Sequence, residues 1–177
     1  MTRGLEEQVK AFRTRRLDEH TYLIIWVDAL YENVRIDGKV VKVAVEVVCG
    51  VNEEGRREIL AIEPMMEESK DSYLSLFRNL QERGMKTPRL VISDAHAGLS
   101  AAIQQGFVGT SWQRCKVHLM RNILGHVPQK AKGTVGADVS RIWLEPDAQQ
   151  ARSYARHVFE KYEKRFPEAM KCLEEGL

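Results

Sequence analysis

Two aspartates give the clearest chemical signal. Asp28 follows the apolar run Tyr22-Leu23-Ile24-Ile25-Trp26-Val27, and Asp94 follows Arg89-Leu90-Val91-Ile92-Ser93. A carboxylate at the end of an apolar strand is costly to bury unpaired. Strand ends of open sheets are also where active sites gather. If the two strands are parallel neighbours, both acids reach one sheet edge, where like charges repel unless a cation lies between them. Hard carboxylate oxygens favour Mg²⁺ or Mn²⁺. Two such ions about 4 Å apart activate an attacking oxygen and steady a leaving one in phosphodiester chemistry. The plainer roles are a turn for Asp28, before Ala29-Leu30-Tyr31, and a helix N-cap for Asp94, within Ser93-Asp94-Ala95-His96. An N-cap and a metal ligand are compatible.

Cys115-Lys116-Val117-His118 has a C-x-x-H spacing, half of a zinc site without a second close Cys/His pair to complete it. A Cys–His nucleophilic pair is the other chemical reading, and a packed Cys beside a surface His is the plain one. Arg114, Lys116, Arg121 and Asn122 surround this motif as a local polar, basic cluster suited to phosphates, or to a solvated helix face. Trp112 and Trp143 read as core anchors rather than stacking platforms.

The elements that must position these residues follow from periodicity. Residues 1–20 are polar and helical in pattern, with Leu5, Val9 and Phe12 on one face, and read as a connecting helix. Tyr22–Val27 is β-branched and aromatic, a buried strand that Asp28 ends; Asn33–Ile36 extends it or pairs with it. Asp37-Gly38 signals a hairpin turn into a valine-rich second strand, Val40–Cys49. Asn52-Glu53-Glu54-Gly55 turns into a third, Arg57–Glu63, in which Ile59 and Ala61 alternate with Glu58, Leu60 and Ile62. Ser69 caps a helix with Tyr73, Leu74, Phe77 and Leu80 on one stripe, stopped by Gly84. A crossover through that helix makes the fourth strand parallel to the first. A small-residue helix over Ala95–Gln105, a fifth strand over Ser111–Cys115 and a helix over Val117–Leu124 follow. From Thr134 the pattern is helical throughout. The expected class is α/β: three antiparallel strands, then parallel strands with crossover helices, then an all-helical region. The expected divisions are 1–20, 21–130 and 131–177.

Composition bounds the answer. The hydrophobic fraction of 44% is ample for a packed core without disulfides. The longest apolar run is far short of a bilayer span, and the start of the chain carries no apolar signal core, so neither a membrane nor export is expected. The 27 basic and 25 acidic residues leave a net charge of +2, so any nucleic-acid contact must be local. Three scattered cysteines suit a reducing cytoplasm.

At these residues the chain resembles the mutator-type insertion-sequence transposases of bacteria, which have an acidic-triad, ribonuclease-H-like catalytic domain. The resemblance is carried by Trp26-Val27-Asp28-Ala29-Leu30-Tyr31 with Val34-Arg35, Gly50–Leu60, Glu68-Ser69, Arg83-Gly84, Ser93–Leu99, and Trp112–His118 with Arg121-Asn122. These run in family order over most of residues 5–130. The resemblance implies that Asp28 and Asp94 are the first and second catalytic acids, that they hold Mg²⁺ or Mn²⁺, and that Cys115 and His118 support the active site. It also implies release of a 3′ hydroxyl at the element's ends and its attack on target DNA, without a covalent intermediate, by a homodimer on the nucleoid.

One departure stands out. The family's third acid, a Glu, follows a helical insertion. Asp138, Glu145, Asp147, Glu160 and Glu163 all fall in the helical tail, and none has the family's Asn-x-x-Glu context. The expectation is a catalytic-core fragment that does not transpose alone. The alternatives are a ribonuclease-H-like nuclease using Asp28, Asp94 and a further carboxylate such as Glu46 or Glu63, and a non-catalytic remnant that binds DNA or partner subunits through the tail.

Overall fold

The computed structural model describes residues 2–177, with side chains from Gly4 onward; Met1, the first residue of the expected connecting segment, lies outside the described residues. The chain divides into two compact units, Met1–Gln113 and Arg114–Leu177.

In the first unit, α1 (Thr2–Thr14) precedes a five-stranded sheet built from β1 (Ile24–Ile36), β2 (Lys39–Val51), β3 (Arg57–Met65), β4 (Leu90–Ser93) and β5 (Ser111–Arg114). The strand order is β3-β2-β1-β4-β5. β1 and β2 pair antiparallel, as do β2 and β3, while β4 runs parallel to β1. This is the mixed α/β order expected from the sequence, three antiparallel strands followed by a parallel one. The crossover from β3 to β4 runs through α2 (Lys70–Glu82), and α3 (Ala97–Gly106) follows β4.

Three details depart from the strand pattern expected. Asp28 does not end its strand: β1 continues to Ile36, and it is the pairing with β4 that stops at Val27. The alternation expected in β3 is broken, because Val48 pairs with Ala61 and Cys49 with Ile59, leaving Leu60 as a bulge. The bulge turns both Leu60 and Ala61 into the core while Ile59 and Ile62 stay exposed. The helix after Asp94 begins at Ala97 rather than Ala95. The β1–β2 turn is as expected. Asp37 and Gly38 both have positive φ, 49° and 78°, the backbone of a two-residue hairpin whose twist matches its strands.

One face of the sheet carries the core. Ile25, Val27, Val48, Leu60 and Val91 meet Tyr73, Leu74, Phe77 and Leu80 of α2, with Leu99, Ala102 and Ile103 of α3. Phe77 and Phe107 pack ring to ring at 4.6 Å. Ser69 starts α2 with a capping box: its hydroxyl accepts from Ser72 N, and Ser72 Oγ accepts from Ser69 N. Arg83, buried at the end of α2, donates to the carbonyls of Arg15, Leu60 and Phe12, so the chain leaving α1 is tied to β3 and α2.

The second unit is α4 (Lys116–Gly125), α5 (Gln129–Ile142), α6 (Ala148–Tyr162) and α7 (Pro167–Glu174). Leu119 and Ile123 of α4 share a core with Val135, Val139, Val158, Tyr162, Met170 and Leu173. The helical unit therefore begins near residue 114, earlier than the division expected near 130, because the buried stripe of α4 packs with α5–α7. Asp147 caps α6 by accepting from Gln150 N at 2.8 Å, and Pro167 opens α7.

Phe77 is fully buried at the centre of the α2 face. Phe77→Ala is expected to destabilise the first unit by about 3–5 kcal/mol in urea unfolding.

Candidate functional site

The sheet itself brings Asp28 and Asp94 to one place. β1 and β4 pair in register as Ile24–Leu90, Ile25–Val91, Trp26–Ile92 and Val27–Ser93. Asp28 and Asp94 are the next residue along each strand, and neighbouring strands lie about 4.8 Å apart. Side chains alternate, so Val27 enters the helix-covered core while Trp26 and Asp28 lie on the other face. Asp94 stands one residue past the end of β4. The plainer role open to it, the helix cap, falls to another residue: His96 occupies the N-cap position of α3, and Asp94 Oδ1 accepts from His96 N at 3.1 Å.

The strand end behind Asp94 is held in place. Ser93 is buried; its hydroxyl donates to the Asp94 carbonyl at 2.8 Å and accepts from Trp112 Nε1 at 2.9 Å. Trp112 is 39% exposed, so it is an edge residue holding β4 and not the core anchor expected. Trp143 packs, half-buried, against the core of the helical unit.

Two further carboxylates face the same edge. Glu46, across β2 from Ala29, is fully buried. Tyr73 Oη donates to Glu46 Oε1 at 3.3 Å, and Glu46 Oε2 has no hydrogen-bond partner. Burial first, and then the charges of Glu68, Asp94 and Asp28, push the Glu46 acid from an ordinary 4.5 up to about 7, against the Tyr73 hydrogen bond. Glu68, just before the α2 cap, accepts from Tyr31 Oη at 2.6 Å and from Tyr73 Oη at 3.0 Å. Its hydrogen bond is the largest cause that raises Tyr31 to about 12. Burial raises Tyr73 further, with Glu46, Glu68 and Asp94 adding to it. Glu63, the other carboxylate considered from sequence, is bound by Arg13.

In sequence Glu46 is an unassigned acid, signalled only by a lone Glu in Val45-Glu46-Val47. Nothing local gives Glu68 a role or Tyr31 and Tyr73 a polar one.

The second motif lies in the helical unit. Cys115 is the N-cap residue of α4, with a free thiol and no side-chain cap bond, and His118 is three residues on. With its amide turned so that both ends find a partner, Asn122 accepts from Arg114 Nη2 at 2.9 Å and donates to the His118 carbonyl at 3.3 Å. Lys116 and Arg121 are exposed. The start of α4 thus brings together Arg114, Cys115, Lys116, His118, Arg121 and Asn122. Among the described residues, no three His, Cys, Asp or Glu side chains form a group ready to hold a metal ion. Likewise, no helix among them is long and apolar enough to cross a membrane.

A family model for transposases of the Mutator family matches residues 1–177. The chain belongs to that family. It is 33% identical, over 99% of its length, to the transposase for insertion sequence element IS256 in transposon Tn4001 of Staphylococcus aureus. It is 38% identical, over 94% of its length, to the transposase for insertion sequence element IS1081 of Mycobacterium tuberculosis. The matched regions span 46% and 40% of those two relatives, so this transposase-family chain covers less than half of each. Among solved structures, the Drosophila P element transposase strand transfer complex overlays 94% of this chain and 51% of its own, at 10% identity and a TM-score of 0.43. That overlay adds nothing to the sheet order already established.

The raised Glu46 acid has a sign that can be tested. The folded chain holds this proton more tightly than the unfolded chain. The contribution to stability is therefore complete below the ordinary 4.5 and is lost as pH rises through about 7. In urea unfolding of metal-free protein, the midpoint is expected to fall from about pH 5 to about pH 8, and Glu46→Gln is expected to flatten that dependence.

Proposed function

We propose that the chain is the catalytic-core part of a DNA transposase, in which Asp28 and Asp94 are the first two acids of a divalent-metal polynucleotidyl transferase. The observation that carries this reading is the strand register of a Mutator-family chain: β1 and β4 pair as far as Val27 and Ser93, and the two acids are the residues that follow them. In this reading the sheet unit with α2 and α3 is the ribonuclease-H-like core. The helices from about residue 131 are the insertion region, and α4 packs with them. The third acid is supplied from outside this chain's candidate residues.

The donor set suits Mg²⁺ or Mn²⁺. Aspartate oxygens are hard ligands. The charges acting most on buried Glu46 are all carboxylates, and one Glu46 oxygen is unpartnered, so the local field favours a cation. The chemistry supplied by a divalent cation between such carboxylates is activation of the attacking oxygen and charge stabilisation at the phosphorus. The residues of the chain do the positioning. The His96 backbone N–H orients Asp94 Oδ1, and Ser93 with Trp112 fixes the strand end that carries it. Cys115 and His118 support the site in this reading, while Arg114, Lys116, Arg121 and Asn122 face DNA phosphates. The substrates are the element's ends and a target duplex. The protein works as a homodimer in the bacterial cytoplasm, on the nucleoid, and the isolated chain does not join strands.

A second reading is a ribonuclease-H-like nuclease that uses Glu46 as its third acid. The unpartnered, fully buried Glu46 oxygen favours that carboxylate over Glu63, which Arg13 binds.

Calorimetry with Mn²⁺ is the test. The chain is expected to bind Mn²⁺, and both Asp28→Asn and Asp94→Ala are expected to weaken binding by about tenfold or more. Binding that survives both substitutions contradicts the assignment. Mn²⁺-dependent nicking by the isolated chain that Glu46→Gln abolishes favours the nuclease.

A further inference from the structure

Glu68-Ser69 is a motif of the family resemblance that the proposed reaction does not use. Ser69 has a structural role as the cap of α2. Glu68 has no such role, yet both its oxygens are engaged, and its partners come from different elements. Tyr31 lies in β1, three residues beyond Asp28, and its hydroxyl donates to Glu68 Oε2 at 2.6 Å. Tyr73 lies in α2, is 1% exposed, and donates to Glu68 Oε1 at 3.0 Å.

Tyr73 connects onward to the second acid. Its ring lies 5.9 Å from the His96 ring, tilted by 58°, and the His96 backbone N–H is the donor to Asp94 Oδ1. The two segments also meet at the backbone. A Cβ at Gly98 would stand 3.2 Å from Lys70 N, so the start of α3 lies tightly against the start of α2. A continuous bracket therefore runs from Asp28 along β1 to Tyr31, through Glu68 to Tyr73, across to His96 and back to Asp94.

Tyr31 marks where support from the sheet runs out. It pairs with Ala44, and Ala44 pairs with Met65, the last residue of β3. Beyond this row the hairpin arm is two-stranded and largely solvent-exposed, with Val34 and Val40 at 40% and 64%. On the other side of Asp28, the pairing of β1 with β4 has already stopped at Val27. Asp28 thus sits between the end of one pairing and the root of a free arm. The Tyr31–Glu68 hydrogen bond is the side-chain tie between that root and the helix layer.

We propose that Glu68 is a positioning residue: by bridging Tyr31 and Tyr73 it fixes the two acid-bearing strand ends at a set separation. The proposal rests on the reading of Asp28 and Asp94 as the metal-holding pair. It gives Glu68 no contact with metal or DNA.

The test compares the chain with Glu68→Ala, Glu68→Gln, Tyr31→Phe and Tyr73→Phe by two readouts. These are amide hydrogen exchange of residues 29–31 and 94–98 in metal-free protein, and Mn²⁺ affinity. Glu68→Ala is expected to speed exchange in both segments by about tenfold and to weaken Mn²⁺ binding by about tenfold. A glutamine still offers one acceptor and one donor to the two hydroxyls, so Glu68→Gln is expected to restore both to within about threefold of the parent. Unchanged exchange in Glu68→Ala overturns the proposal, whatever happens to Mn²⁺. So does loss of Mn²⁺ binding in Glu68→Gln equal to that in Glu68→Ala, which marks a charge or ligand role. If Glu68→Ala does not fold, the two Phe variants, each lacking one hydroxyl, carry the same exchange comparison and decide it the same way. If the parent takes up no Mn²⁺, the metal reading of Asp28 and Asp94 fails, and exchange alone decides whether Glu68 ties the strand ends together.

Discussion

Carboxylates crowded at the edge of a sheet repel one another, and that repulsion is the constraint the rest of the first unit must meet. The charges of Glu68, Asp94 and Asp28 all act on Glu46, close to where β1 and β4 part company. Each is handled differently. Glu68 gives both oxygens to tyrosine hydroxyls. Asp94 accepts from a backbone N–H. Glu46, buried and half-satisfied, is pushed toward its neutral form. Such an arrangement is uneconomical as plain structure, because an apolar residue at position 46 would avoid the desolvation altogether. It is intelligible if the edge exists to draw in a cation.

The sheet is the part that sequence read best. Valine-rich period-two runs, an Asp-Gly turn and an amphipathic helix between β3 and β4 each have a local cause, and their order leaves few topologies. Asp28 and Asp94 could be singled out because both follow apolar runs. What local pattern missed was tertiary in origin. Asp28 looked like a strand terminus because its neighbours turn polar, yet β1 continues as one edge of an exposed hairpin arm. The bulge at Leu60 depends on register with β2, which no single strand reveals. Trp112 was read as core because tryptophan usually is, whereas its indole N–H is spent on Ser93 at the sheet edge.

The polar network around Glu68 was illegible for a related reason. Tyr31, Glu68 and Tyr73 come from a strand, the segment before a helix and that helix, and nothing in their spacing requires them to meet. Periodicity places only the Tyr73 ring, as an apolar stripe residue, which it also is. The C-x-x-H motif was visible but its setting was not: α4 packs through Leu119 and Ile123 into the helical unit, so the motif belongs to the start of that unit rather than to the end of the sheet.

The central claim is that Asp28 and Asp94 converge to share a cation. Anomalous diffraction from crystals of the chain grown with Mn²⁺ tests it most directly. The account predicts a manganese peak with one oxygen from each aspartate at about 2.0–2.2 Å. A well-ordered structure in which those carboxylates point to opposite faces of the sheet, with manganese bound elsewhere or nowhere, contradicts it.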